Sequence, residues 1–257
     1  MRTRKLTLQE WFQSYQFEYL ARYHLMLPCW VDMDVTRIAE RWRAKGQRMP
    51  HTAILTKAMG LAALKVPEIN SAYVRTFWGK RLVLFDGANV NVPVLCEENG
   101  VRYLNPATVT DVDRKSVSEI SQFLHEVRAK KLSSPDMPLT RLVALGKNTF
   151  FNRLRLRVVH FLVFNFPSLW KRRPVGGVSV SSLLNHDSKL AGAVAVAYGP
   201  TTVTACFGQV LEQPGGKTIF RVGYGFDHSI APGYLWRQFA DTLAAVLDDE
   251  ALASQFD

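Results

Sequence analysis

Six histidines and three cysteines are the side chains best suited to acid–base or nucleophilic chemistry near neutral pH. His228 stands apart from the rest. In Phe226-Asp227-His228-Ser229-Ile230-Ala231-Pro232-Gly233 it follows an alternating strand pattern and precedes a tight turn and a helix start. An imidazole at the end of a strand is held rigidly, as a general base must be. A histidine that only caps the strand or meets a buried carbonyl would give the same local pattern. His24, His51, His125, His160 and His186 show neither HxxxH nor HExxH spacing, so no metal site is expected. Cys29, Cys96 and Cys206 are far apart and odd in number, which fits buried thiols in a reducing compartment rather than a disulfide framework. A Cys29 nucleophile would need a base supplied by the fold. Asp32, Asp34, Asp111 and Asp113 sit near helix starts, where capping is the simpler role. Asp86-Gly87 and Gly215-Gly216 read as turns, and Gly176-Gly177 lacks the Lys-Ser/Thr of a phosphate loop.

The elements that would position these groups follow from periodicity. Thr7 to Tyr23 reads as an aromatic helix with a Thr7–Glu10 capping box, broken at Pro28-Cys29. Cys29 to Met33 reads as a strand, Asp34 caps a helix to about Ala44, and Thr52 to Lys65 is a second apolar helix. Leu82–Phe85, Ala88–Leu95 and Val101–Pro106 read as strands, the last two joined by an Asn99-Gly100 hairpin turn. Ser116 to Leu132 is amphipathic and opens on a Ser116–Glu119 capping box. Three β-rich runs follow, Val175–Ser182, Ala193–Tyr198 and Thr202–Leu211. Thr218–Phe226 alternates, with Phe220, Val222, Tyr224 and Phe226 on one face, and a helix from about Pro232 to Leu247 ends the pattern. Helices interleave with hairpins and crossovers, so the expected fold class is α/β, an α+β two-layer sandwich with helices packed on a mixed sheet.

The chain has 257 residues, enough for a substantial core, and 47% hydrophobic against 21% charged residues exclude disorder and collagen. Its formal charge is +10, from 32 Lys+Arg and 22 Asp+Glu. Between Leu139 and Gly177 stand eight basic residues and no acid: Arg141, Lys147, Arg153, Arg155, Arg157, Lys171, Arg172 and Arg173. The remainder carries 24 − 22 = +2. That concentration argues against a nucleic-acid partner, which a basic surface and a binding motif would announce. Phe150 to Trp170 reads as one or two amphipathic helices broken before Pro167. The basic segment could be a packed excursion with a solvated face. Two other partners suit it: an anionic membrane surface, or the phosphate of a cofactor or an acidic carrier protein. No run of about 18 uncharged apolar residues is present, so no spanning helix is expected. The expected location is cytoplasmic, with membrane-peripheral attachment open.

The segment around His228 resembles the DHRxxDG motif of the dihydrolipoyl acyltransferase core of 2-oxo-acid dehydrogenase complexes. It is also similar to the HHxxxDG motif of chloramphenicol acetyltransferases. Lys57-Ala58, Leu64, Pro67-Glu68-Ile69-Asn70 and Ser71 resemble the KAxxxAL…PxxN block of those cores. Asn91-Val92-Pro93-Val94 with Asp113 to Ile120 resembles their PV…kksLxeI block, and Gly177 to Leu183 their TFTISxLG block. Trp11 to Asp34 looks more like chloramphenicol acetyltransferase. The resemblance covers nearly the whole chain except Leu139–Pro174. Three positions depart from it: Pro232 stands for the Asp of the DG pair, Ser229 for the usual Arg, and Leu184 for the glycine of the serine block.

The resemblance implies a chloramphenicol-acetyltransferase-like fold over 1–257, with a basic amphipathic insertion at about 139–174. It implies a free-standing acyltransferase that moves an acyl group from a thioester donor to a hydroxyl, amine or thiol. The donor would be coenzyme A or an acyl-carrier protein, with no permanently bound cofactor. His228 would be the general base, and Ser181, or Ser182 one position on, would steady the tetrahedral intermediate. On ordinary grounds both serines would be strand residues bonded to backbone. A homotrimer is implied, with His228 from one subunit and Ser181 from its neighbour. The departures leave a competing expectation, a catalytically degenerate interaction protein on the same fold, and the basic segment leaves another, a membrane-peripheral acyltransferase acting on a lipid-linked acceptor.

Overall fold

A computed structural model describes residues 3–76, 79–98, 100–129, 137–172, 175–182, 201–249 and 254–256. The expected strand Ala193–Tyr198, Leu184, His186, Lys130–Leu132, Arg173-Pro174 and the Asn99 half of the hairpin turn lie outside these. The helices are α1 (Leu8–Tyr23), α2 (Thr36–Ala44), α3 (His51–Lys65), α4 (Val117–Arg128), α5 (Met137–Leu145), α6 (Phe150–Asn165) and α7 (Gly233–Asp248). The strands are β1 (Met26–Asp34), β2 (Ser71–Thr76), β3 (Gly79–Leu84), β4 (Val90–Glu98), β5 (Val101–Val109), β6 (Val178–Ser182), β7 (Val203–Glu212) and β8 (Thr218–Asp227).

Six strands form one sheet in the order β1-β8-β7-β6-β4-β5, and β2-β3 is a separate hairpin. β4, β6 and β7 run parallel and every other pairing is antiparallel, so the sheet is mixed, as the interleaved elements imply. The α3 sequence is apolar on all sides, and such a helix must be covered all round. Ile54, Leu55, Ala58 and Met59 are fully buried beneath α7, α4 and the sheet. β8 carries Phe220, Val222, Tyr224 and Phe226 in the core, and Gly223 and Gly225 of its other face are buried as well. That strand is therefore covered on both sides where it approaches His228.

Both expected capping boxes form, at Thr7 with Glu10 and at Ser116 with Glu119. Three local expectations are corrected. α1 ends at Tyr23, and Pro28 lies inside β1, tolerated because β1 is an edge strand among the described residues. Asp32 caps nothing; its carboxylate takes two bonds from Arg221 across the β1–β8 pair, at 2.9 and 2.7 Å. Asp111 also makes no side-chain cap, whereas Asp34 accepts from the Thr36 N–H at 3.0 Å although Val35 holds the cap position.

Two buried polar residues of the family-like blocks prove architectural. The Lys57 ammonium donates to the carbonyls of Val112, Asp113 and Lys115 at 2.8–2.9 Å, and desolvation lowers its pKa. Asn70 bonds the carbonyls of Phe85 and Gly87 and accepts from the Gly177 N–H. It thus ties the starts of β4 and β6 together. Gly177 is needed there for space, since a Cβ would lie 2.2 Å from the Ser71 nitrogen.

Candidate active site

β8 delivers its last residue, Asp227, into the interior and the next, His228, onto the surface. The turn between them is held by one carboxylate. Asp227 Oδ1 accepts from the N–H groups of Leu25 (3.2 Å) and Ser229 (3.0 Å) and from the Ser229 hydroxyl. Its Oδ2 lies 2.6 Å from His24 Nδ1. The Asp227 pKa is lowered: desolvation pushes it up, but the hydrogen bonds from His24 and Ser229 outweigh that cost. An ionised carboxylate only accepts, so Nδ1 of His24 carries the hydrogen. The backbone finishes the lock. His228 N–H donates to Leu25 O at 2.8 Å, Ile230 and Ala231 donate to Asp227 O, and Asp227 N–H donates to Thr202 O. The His228 ring is exposed, with the Phe226 ring 6.1 Å away. Its backbone is fixed while its imidazole remains open to solvent.

Two of the sequence departures fall in this turn, and both have local work. Ser229 donates its hydroxyl to Asp227. Pro232 is the N-cap of α7 at φ −63°, and its carbonyl accepts from Leu235 and Trp236. The His24–Asp227 pair spans 203 residues of sequence, so no local spacing could disclose it.

Ser181 and Ser182 close β6, both half-buried. Ser181 faces Cys206 of β7, which faces Gly223 of β8. Gly223 lies five positions before His228 on an antiparallel strand, roughly 17 Å along the sheet at 3.3–3.4 Å per residue. One chain therefore does not bring His228 and Ser181 together. Burial pushes the thiol of Cys206, the cross-strand neighbour of Ser181, up to about 11.

The Ser182 end of the sheet opens into a cavity of about 900 Å³. Its origin is in the pairing: β4 and β6 share only Val90↔Val178 and Asn91↔Ser179, then part. The gap is lined by Val94 and Ser182, with Arg48, His51, His125 and Arg128 around it. The acid in that lining is Glu212, bridged to Arg43 at 3.0 Å. Sequence reading passed over this basic cluster because its members come from α3, α4 and the loop before α3. His51 stacks flat on Phe207 at 5.4 Å.

Cys29 has its thiol pushed up to about 11 by burial, which disfavours a thiolate nucleophile. His160 is buried among Tyr15, Tyr19 and Phe164, with neither ring nitrogen hydrogen-bonded, and burial lowers its pKa to about 4. No group of three or more His, Cys, Asp or Glu among the described residues could hold a metal. No helix among them is long and apolar enough to cross a membrane.

The six-stranded mixed sheet with helices packed on it is a mixed α/β fold similar to that of the chloramphenicol acetyltransferases. No protein-family model and no curated protein sequence matches the chain, but solved structures do. The dihydrolipoamide acetyltransferase of Azotobacter vinelandii superposes with a TM-score of 0.65 at 14% identity, over 99% of this chain and 94% of that one. The truncated catalytic core of the 2-oxoacid dehydrogenase multienzyme complex from Thermoplasma acidophilum gives 0.65 at 15% identity, over 97% and 99%. A chloramphenicol acetyltransferase gives 0.50 at 14%, over 96% and 100%. At these identities the likeness is one of fold, and it bears out the fold class and the resemblance read from sequence.

Proposed function

We propose that the chain is an acyltransferase that moves an acyl group from a thioester donor to a hydroxyl, amine or thiol acceptor. The observation that carries this is the Asp227-centred lock, which fixes the backbone of His228 and leaves its imidazole free. In the reaction the imidazole takes the acceptor's proton as the acceptor attacks the thioester carbonyl carbon. The carbonyl electrons move onto oxygen, where a serine hydroxyl donates a hydrogen bond. Collapse breaks the carbon–sulfur bond, and the leaving thiolate takes the proton back from the imidazolium. The base is worth about 10²–10⁴ in rate and one oxyanion donor about 10²–10³.

The mechanism of the Azotobacter enzyme has been examined through a serine, a histidine and an asparagine four residues beyond that histidine. This chain has His228 and the Ser181-Ser182 pair but carries Pro232 at the fourth position after the histidine. The Asp227–His24–Ser229 lock stands in for a contact at that position, which favours the enzyme over the degenerate interaction protein. The basic cavity at Ser182 suits the phosphates of coenzyme A as donor. The separation of His228 from Ser181 within one chain supports a homotrimer with sites shared between neighbours.

The test is an acyl-CoA panel read by release of free thiol. His228→Ala is expected to lose about 10²–10⁴ in turnover with an unchanged melting temperature. An Ala variant as active as wild type would sink the base assignment. Co-refolding inactive His228→Ala with inactive Ser181→Ala should restore about one quarter of the wild-type sites, since each shared site needs one intact residue from each neighbour. No recovery would remove the shared site.

A further inference from the structure

α6 wears its apolar residues on the outside. Its inward row, Leu156, His160 and Phe164, is buried against α1 and β2. Its outward row holds Leu154, Val158, Phe161 and Leu162, and its N-terminus carries Phe150 and Phe151. Phe150, Phe151 and Phe161 are 73%, 79% and 56% exposed. At 3.6 residues per turn, Arg153 and Arg157 fall on one flank of that row and Arg155 on the other. Arg153 lies over the Trp11 ring at 5.6 Å, and Arg157 over Trp11 and Tyr15 at 5.4 and 5.6 Å, so two of the guanidiniums are aligned along one edge. The helix is capped by Thr149 and anchored by Trp170, whose indole N–H donates to Val163 O. It is a built, ordered surface with phenylalanines facing out.

We propose that this face docks on an anionic lipid bilayer. Exposed apolar patches of this extent on a soluble surface mark binding sites. A helix with a phenylalanine row between arginines matches a headgroup layer, with rings below the phosphates and guanidiniums among them. Charge complementarity selects the occupant: Arg153, Arg155 and Arg157 flank the row within a segment, Leu139–Gly177, that holds no acid, while Arg141 of that segment is already bridged to Glu98 at 2.6 Å. A second copy of the chain would set those arginines against themselves. The inward face of α6 places Phe164 6.5 Å from the His24 ring, so the docking helix is braced on the residue that holds Asp227. Docking does not depend on thioester chemistry, and His228→Ala should bind vesicles as wild type does.

The experiment is flotation of the full chain with phosphatidylcholine vesicles, alone and mixed with phosphatidylglycerol. The chain should float with the mixed vesicles and not with the neutral ones. A Phe150→Ser, Phe151→Ser, Phe161→Ser variant, with circular dichroism and melting as in wild type, should lose roughly tenfold or more of that binding. Arg155→Gln should weaken binding in a salt-dependent way. Absence of flotation with either vesicle overturns the proposal. So does binding that survives loss of the phenylalanines, since basic residues alone would then hold the lipid and the apolar face would take no part. A serine variant that lowers the oligomeric state in gel filtration also overturns it, since the face would then join copies of the chain.

Discussion

The turn at His228 and the outer half of α6 both present side chains to solvent, yet they are held by opposite means. At the turn, one buried carboxylate takes bonds from two backbone N–H groups, a hydroxyl and an imidazole. At α6, the support is aromatic packing around a histidine that makes no hydrogen bond. The turn is over-determined by directional bonds, as a group that must meet a reacting atom requires. The helix needs only to be present and turned outward, which non-directional packing achieves.

The largest stability effect is expected where that directional network is cut. Asp227→Ala leaves the buried His24 ring without its partner and removes the acceptor of the Leu25 and Ser229 N–H groups. The cost should be about 3–5 kcal/mol, the range for removing one partner of a buried pair. Urea unfolding should show it, and turnover should fall with it. If Asp227→Ala melted like wild type, the carboxylate would not hold the turn.

The turn and the helix also differ in how much of them was legible in sequence. His228 was visible because a strand, a turn and a helix meet there within a dozen residues, and the family-like motif agrees. The capping boxes at Thr7 and Ser116 were equally local. The lock around His228 was not visible, because His24 reaches Asp227 only after β1 pairs with β8. The cavity was hidden for the same reason, arising where β4 and β6 stop pairing. In α6 the pattern of arginines and apolar residues was plain. Which apolar residues would face inward was not, because the Leu156-His160-Phe164 row is chosen by the tyrosines of α1 rather than by hydrophobicity. The strand β2 went unread because Ser71–Thr76 alternates too weakly to show.

A second way to separate the two regions is pH. His160 has a folded pKa of about 4 against an ordinary 6.5, so its neutral form is the folded one. Its contribution is full above pH 6.5 and is lost as pH falls toward 4. Asp227 has a lowered pKa, so its contribution is full above the ordinary 3.8 and is lost only below that. Acid should therefore loosen the packing of α6 before it touches the turn. Protection against amide exchange, taken relative to the intrinsic rate, should fall at pH 5 in residues 150–165 and not in 226–231. His160→Phe, which keeps the ring and removes the titration, should abolish that difference. Equal exchange in both regions at pH 5 would show that the His160 pocket does not govern α6.

The two smallest effects expected are together the finest test of the contrast. Ser229→Ala removes one hydroxyl from the Asp227 network but leaves the Ser229 N–H, the Leu25 N–H and His24 in place. The loss should be about 0.5–1.5 kcal/mol, that of one ordinary hydrogen bond, because the remaining donors still hold the carboxylate's charge. Turnover should fall less than tenfold, because the backbone of His228 is still tied to Leu25 O. Phe151→Ser on α6 should change stability by no more than about 0.5 kcal/mol, since its ring lies in solvent. A turn whose hydroxyl could be removed as freely as that phenylalanine ring would owe its hold on Asp227 to the Leu25 and Ser229 N–H groups and His24 alone.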